Sequence, residues 1–95
     1  VLRIEFSPGA LRMLDRLVEL YELPPDSRSR VVRYVAHLGA FPDSGAPLGG
    51  EWEGYRFVLG PWPWLAIIYE IVNDQLVAIV AFEDTRGAGA ATGQR

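Results

Sequence analysis

The stretch from Trp64 to Phe82 most narrows what this chain can fold into. Two apolar runs follow one another, Trp64–Val72 (WLAIIYEIV) and Gln75–Phe82 (QLVAIVAF), with only Asn73-Asp74 between them. Both runs are rich in Ile, Val and aromatic residues, which pack well on a pleated surface and poorly on a helix. An Asn-Asp pair accepts the φ > 0 conformations of a two-residue turn, so the spacing predicts a β-hairpin with Asn73-Asp74 at its tip. The runs are apolar at nearly every position, not at alternate ones. Strands of that kind are covered on both faces, or carry a cleft or partner surface on one. A shorter run, Tyr55–Leu59, precedes them, and Gly60-Pro61-Trp62-Pro63 separates it from the hairpin. Three consecutive antiparallel strands are expected.

Something must cover this sheet, and the upstream half supplies it. Val1–Phe6 alternates, with Leu2, Ile4 and Phe6 on one face, and reads as a strand. Ser7-Pro8 then has the form of an N-cap followed by Pro at the first helical position. Leu11, Leu14, Leu17, Val18 and Tyr21 recur at helical spacing, and Pro24-Pro25 ends that helix. Asp26 or Ser27 can cap a second helix, with Val31, Val32, Val35 and Leu38 on its buried face and Gly39 as its stop. Only a few residues join the two helices, which predicts a helical hairpin. Phe41–Gly50 reads as loop. The order is β-α-α-β-β-β: an α+β fold with a helical hairpin packed on one face of a small antiparallel sheet. Residues 1–86 form a single domain on this reading. Gly87–Arg95 (GAGAATGQR) has no core-forming side chain and reads as a disordered tail.

Composition then limits the function classes. The chain has 95 residues, 49% of them hydrophobic, enough for one domain with a real core. It has no Cys, hence no disulfide framework, thiolate nucleophile or zinc-cysteine site. No apolar run reaches the roughly 18 residues of a membrane span. No signal-peptide pattern is present, and a reducing cytoplasm fits. The net charge is −3, and all nine basic residues are Arg. A chain that grips long stretches of nucleic acid is normally basic, so broad backbone binding is disfavoured. A local Arg site, or a basic protein partner, stays open. No phosphate-binding Gly-rich loop and no metal-ligand cluster occurs, and no cofactor is implied.

Several short features fall in a particular order. Pro42-Asp43-Ser44-Gly45 forms a Pro-x-x-Gly loop. Leu48 follows, then Gly54-Tyr55-Arg56 opens a strand, Tyr69 closes an apolar run, and Arg86 ends the last strand. Together these resemble the RelE/ParE superfamily of toxins from type II toxin–antitoxin modules, over about residues 1–86. The resemblance implies a toxin that inhibits growth and is neutralised by a cognate antitoxin. It leaves open a ribosome-dependent, metal-independent mRNA endonuclease, a DNA gyrase inhibitor that acts by binding, or a catalytically decayed fold that only binds its partner. RNA-cleaving members usually carry an Arg three residues before the position of Tyr69, where this chain has Ala66. Many carry a Tyr or His after the last-strand Arg, where this chain has Gly and Ala, and this chain has no Lys at all.

Metal-free RNA cleavage needs a base, an acid, and cations for the charge that builds on the phosphate. The resemblance makes Arg56, Arg86 and Tyr69 the candidate catalytic residues. Guanidinium groups match phosphate bidentately, and Tyr69 can stack or donate a proton. The same residues also have ordinary structural uses, as solvated cations at strand ends and an aromatic packed in a sheet. His37, the only histidine, has a suitable pKa range but no role under the resemblance. Arg28, Arg30 and Arg33 form a basic run that reads as a solvated helical face partly paired with nearby acids. Trp52, Trp62 and Trp64 cluster around the first turn of the sheet, and part of that cluster is a candidate protein interface.

Overall fold

The computed structural model describes residues 1–87. Strand β1 (Arg3–Phe6) leads into α1 (Pro8–Leu20), followed by α2 (Ser27–Val35) and a one-turn α3 (His37–Ala40). Then come β2 (Ala46–Pro47), β3 (Arg56–Leu59), β4 (Leu65–Asn73) and β5 (Leu76–Asp84). The expected α+β class is the observed one: helices on a sheet whose two longest strands are the apolar runs.

The ends of α1 follow from local chemistry. The Ser7 Oγ accepts the Ala10 N–H at 3.0 Å, satisfying one of the free donors at the helix start, and Pro8 opens the first turn. At the other end Glu22 adopts a φ of 50°, and the Leu23 N–H returns to the Val18 carbonyl at 2.9 Å. That is a left-handed closure of the kind usually made by Gly. Ala10 and Leu14 are fully buried, and Leu17 and Val18 pack beside them.

The second helix departs from expectation. It stops at Val35, and the chain resumes as α3 after Ala36. Gly39 lies inside α3, where its carbonyl accepts the Leu2 N–H at 2.8 Å. A Cβ on Gly39 would lie 2.6 Å from the Leu2 carbonyl oxygen, and this close approach to the residue before β1 accounts for the glycine better than a helix stop does. Asp26 makes no capping bond; Ser27 is buried and donates to the Pro24 carbonyl at 2.6 Å.

The sheet has the order β1-β5-β4-β3-β2. β2–β3, β3–β4 and β4–β5 pair antiparallel, as expected for the last three strands. The first strand differs. β1 lies parallel to β5, with Ile4 opposite Val77 and Phe6 opposite Ile79, so the sheet is mixed. β2 is a further addition. Its two residues lie in the segment expected to be loop, where Ala46 and Pro47 pair with Phe57 and Arg56. The hairpin tip is also displaced by one residue. Asn73 pairs with Leu76, leaving Asp74-Gln75 as the turn, and no residue there has positive φ. The Asn73 side chain accepts the Gln75 N–H at 2.8 Å, so it builds the turn by mimicking backbone rather than by adopting the left-handed conformation.

One core lies between the helices and the sheet. Ala10, Leu14, Val31, Val35 and Leu38 meet Leu65, Ile67, Tyr69, Val77, Ile79 and Phe82. Each large aliphatic side chain buried there contributes roughly 1.5–3 kcal/mol. On the other face of the central strands, Ala66, Ile68 and Ala81 are also out of solvent. Ile68 is flanked in register by Phe57 and Ala81. Of the alternatives expected for these strands, cover on both faces is the one observed in this part of the sheet, while Ile71 and Val72 towards the hairpin tip are exposed.

Candidate functional site

The three residues singled out in the sequence fall into two separate places. Arg56 and Tyr69 are register partners on β3 and β4. Both close on the Pro-x-x-Gly loop. The Tyr69 hydroxyl donates to the Pro42 carbonyl at 2.6 Å and accepts the Gly45 N–H at 3.0 Å. The Arg56 Nη1 donates to the Gly45 carbonyl at 2.7 Å and, more weakly, to the Asp43 carbonyl at 3.3 Å. The Asp43 carboxylate lies 3.6 Å from Arg56 Nη2. A Cβ on Gly45 would sit 2.5 Å from the Tyr69 hydroxyl and 2.7 Å from the Phe57 carbonyl, so only Gly lets the loop approach this closely. Tyr69 is 0% exposed. Burial, partly offset by the Gly45 hydrogen bond, raises its phenol above the ordinary value. A phenol with both hydrogen-bonding directions occupied is a structural brace in this arrangement, and the loop motif is the part it braces.

Arg86 stands elsewhere. Asp84, two residues before it, faces Leu65 on β4, whereas Arg56 faces Tyr69, four residues further along that strand. At about 3.3 Å per residue this is on the order of 13 Å along the strands alone. Arg86 therefore does not share a cleft with Arg56 and Tyr69.

Around Arg86 the structure gathers a different set of side chains. Its guanidinium lies 4.4 Å from the Trp64 ring centroid and 5.1 Å from that of Tyr21. It forks onto Asp84, with Nε 3.0 Å from Oδ1 and Nη2 3.1 Å from Oδ2. The Tyr21 hydroxyl donates to the same carboxylate. Tyr21 and Trp64 meet edge to face at 5.3 Å. Trp64 stacks on Trp62 at 6.0 Å with 24° between the planes, and Arg30 lies 4.9 Å above Trp62. The result is a ladder, Arg30–Trp62–Trp64–Arg86, that joins α2, the turn before β4, and the end of β5. A cation over an indole is worth about 0.5–1 kcal/mol at an exposed site.

The backbone around the ladder is specialised. Gly60 has a φ of 139° and precedes a cis bond to Pro61. A Cβ there would overlap the Tyr34 ring, and the Tyr34 hydroxyl donates to the Leu59 carbonyl. Only Gly meets both demands, the left-handed backbone and the close ring.

Charge in the cluster is largely self-compensated. The Arg86 side chain holds the Asp84 carboxyl well below the usual carboxylate range, with help from Tyr21. The same carboxylate raises the Tyr21 phenol and the Arg86 guanidinium. Arg86 is 54% exposed and keeps unspent N–H groups for an anion. The cluster's carboxylate is already engaged by Arg86 and Tyr21, so the cluster offers a cation and a stacking surface. His37 belongs to neither set; it bonds the Tyr34 carbonyl at 2.7 Å and is exposed.

Sequence reasoning named Arg86 and the Trp62–Trp64 pair but not their junction. Tyr21 was assigned to the core stripe of α1, and Arg30 to a solvated helix face. The spacing of aromatics and arginines along the chain carries no sign that the four meet. Trp52 stands apart from the other two indoles, against Tyr55. Arg28 is paired across the helical hairpin with Asp15 at 2.8 Å. Among the described residues no group of His, Asp and Glu side chains could hold a metal ion. No helix among them is long and apolar enough to cross a membrane.

No protein-family model and no curated protein matches the sequence. Solved structures do match in fold. The chain superposes on YafQ from E. coli strain BL21(DE3) with a TM-score of 0.64 and 17% identity, over 95% of this chain and 100% of that one. It superposes on a chain of the chromosomal ParDE toxin–antitoxin system of P. aeruginosa with a TM-score of 0.67 and 18% identity, over 87% and 95%. A chain of the E. coli DinJ–YafQ toxin–antitoxin complex gives 0.61 and 19%, over 94% and 98%. The fold is thus that of RelE/ParE-type toxins, the group the sequence resembles.

Proposed function

We propose that this protein is the toxin of a type II toxin–antitoxin pair, soluble in the cytoplasm and held inactive by a cognate antitoxin. One observation carries the reading: the fold matches YafQ over 95% of this chain and all of that one. The order of the Pro-x-x-Gly loop, Arg56, Tyr69 and Arg86 along the chain supports it independently.

We further propose that the toxin acts on its target by binding, as a gyrase inhibitor would, rather than by cutting mRNA. Cleavage on the ribosome would need Arg56, Arg86 and Tyr69 to act together as cations and acid. Here Arg56 and Tyr69 are engaged by the Pro42–Gly45 loop, and Arg86 is at the other end of the strands. A binding mode needs no convergence of these groups.

The test is induced expression with and without the neighbouring open reading frame, scoring growth, translation and DNA supercoiling. Growth arrest relieved by the neighbour is the expected result. Loss of supercoiling with intact mRNA supports the binding mode. Rapid mRNA cleavage that is lost in the Arg56→Ala, Arg86→Ala double mutant would replace it with the enzyme mode, at a typical cost of about 10²–10³ in rate per cation.

A further inference from the structure

Asp84 makes more contacts than a carboxylate at a strand end needs. Its Oδ1 accepts the Arg86 backbone N–H at 2.9 Å and the Arg86 Nε–H at 3.0 Å. Its Oδ2 accepts the Arg86 Nη2–H at 3.1 Å and the Tyr21 hydroxyl. Four donors thus meet a carboxylate with about four acceptor positions, and it is saturated. Its side chain is 17% exposed, against 54% for Arg86. The Arg86 guanidinium is held as well, against the Trp64 and Tyr21 rings. The edge it gives to Asp84, Nε with Nη2, is one that presents two N–H groups side by side to an oxyanion. The N–H groups left over belong to a cation whose charge is already matched.

We propose that Arg86 heads an anion site whose resident ligand is the chain's own Asp84, and that this internal carboxylate shuts out the phosphate groups the site would otherwise bind. A phosphate takes a guanidinium in the same two-point geometry that Asp84 uses. Asp84 sits two residues away on the same strand end, so it competes at an effective concentration that a dilute outside anion does not reach. Tyr21 adds to the advantage by fixing the carboxylate from the end of α1. Charge acts in the same direction, because a phosphate that approaches Arg86 also approaches Asp84 and is repelled by it. Trp64 and Tyr21 would serve any occupant, since their rings hold the guanidinium in place whether or not the carboxylate is there. Asp84 is therefore a positioning residue with an inhibitory effect: it keeps the last-strand cation present but closed. The inference goes beyond the proposed function and does not depend on it.

The experiment titrates the full chain at neutral pH and low salt with inorganic phosphate and, separately, with a short single-stranded oligoribonucleotide. The Arg86 Nε–H resonance is followed by NMR. Wild type is compared with Asp84→Asn, Asp84→Ala, Tyr21→Phe and Glu22→Gln, each checked for folding by circular dichroism. Both Asp84 variants are expected to bind phosphate at least about tenfold more tightly than wild type, with the Arg86 resonance shifting as the site fills. Tyr21→Phe keeps the ring but frees one side of the carboxylate, and a smaller gain in the same direction is expected. It carries the test if the Asp84 variants do not fold. Glu22 is exposed and next to Tyr21 in the chain. Glu22→Gln removes a nearby negative charge without touching the fork and should leave the affinity at the wild-type level. An equal gain in that variant would assign the effect to overall charge and overturn the proposal. A gain for inorganic phosphate alone identifies the excluded ligand as free phosphate. A gain for the oligoribonucleotide as well extends it to the nucleic-acid backbone, and both results support the internal competitor. Unchanged affinity in the folded Asp84 variants, or a gain that persists when Arg86→Ala is added, overturns it. Growth arrest by the wild-type chain is scored separately, so the toxin reading stands or falls on its own experiment.

Discussion

Tyr69, a candidate catalytic residue, has its hydroxyl engaged on both sides by the Pro42–Gly45 loop. Its hydroxyl accepts the Gly45 N–H and donates to the Pro42 carbonyl, both beside a buried ring. Tyr69→Phe keeps the ring and strands those two groups, which costs about 1–3 kcal/mol. The expected outcome is a lower thermal midpoint with growth inhibition retained at permissive temperature; loss of inhibition with unchanged stability would restore a catalytic Tyr69. Gly45→Ala should destabilise by about 1–3 kcal/mol, because its methyl meets the same hydroxyl and the Phe57 carbonyl. Asp84 carries a pH dependence. Its folded-state pKa is depressed by Arg86, so the stability it contributes is present above the unfolded carboxylate pKa of about 4 and is lost as pH falls below it. Acid unfolding of Asp84→Asn should therefore be shallower than that of wild type below about pH 4, with the two curves parallel at pH 6–8.

At the scale of elements, what is encoded locally was readable and what depends on distant pairing was not. The Ser7-Pro8 start of α1 is written in two adjacent residues, and Ser7→Ala should cost about 1 kcal/mol in a denaturant titration. The long strands are written in unbroken apolar runs. β2 escaped because two residues have no period; Ala46 and Pro47 become a strand only because β3 lies beside them. The parallel placement of β1 escaped for the same reason, since an alternating hexapeptide fixes a strand but not its neighbour. Gly39 reads as a stop in the sequence because a backbone packed within 2.6 Å of where its Cβ would be and a helix terminus favour the same residue type. The hairpin tip moved because Asn serves a turn in two ways, with its backbone or with its side chain, and here the side chain is used.

At the scale of the molecule, the fold was legible and the candidate site only in part. Arg56, Tyr69 and Arg86 were found by their order in the chain, but order does not report distance. Their separation follows from the register of β3, β4 and β5, which no local pattern fixes. The Arg30–Trp62–Trp64–Arg86 ladder was invisible for the complementary reason, being built from three parts of the chain that touch only when folded. Trp62→Ala should detach Arg30 and expose a face of Trp64. The expected signs are a lower unfolding free energy, by about 3 kcal/mol or less for a half-buried indole, and a changed tryptophan emission before unfolding begins.

The first strand pairs with the last, Arg3–Phe6 along Leu76–Ile79. During synthesis, β1 has no neighbour until almost the whole domain has been made, and β4 lacks its longest partner for as long. Pairing at such sequence separation delays folding, because the loop must close before any contact rewards it. A nascent chain arrested at Asn73 should remain open to protease, and protection should come in one step once Asp84 has emerged. A folded intermediate before that point would show that the helices and β3–β4 are self-sufficient. Without one, every newly made copy passes through an unfolded interval that ends only when its last strand is complete, and under the proposed toxin function that interval is when a partner already present would meet it.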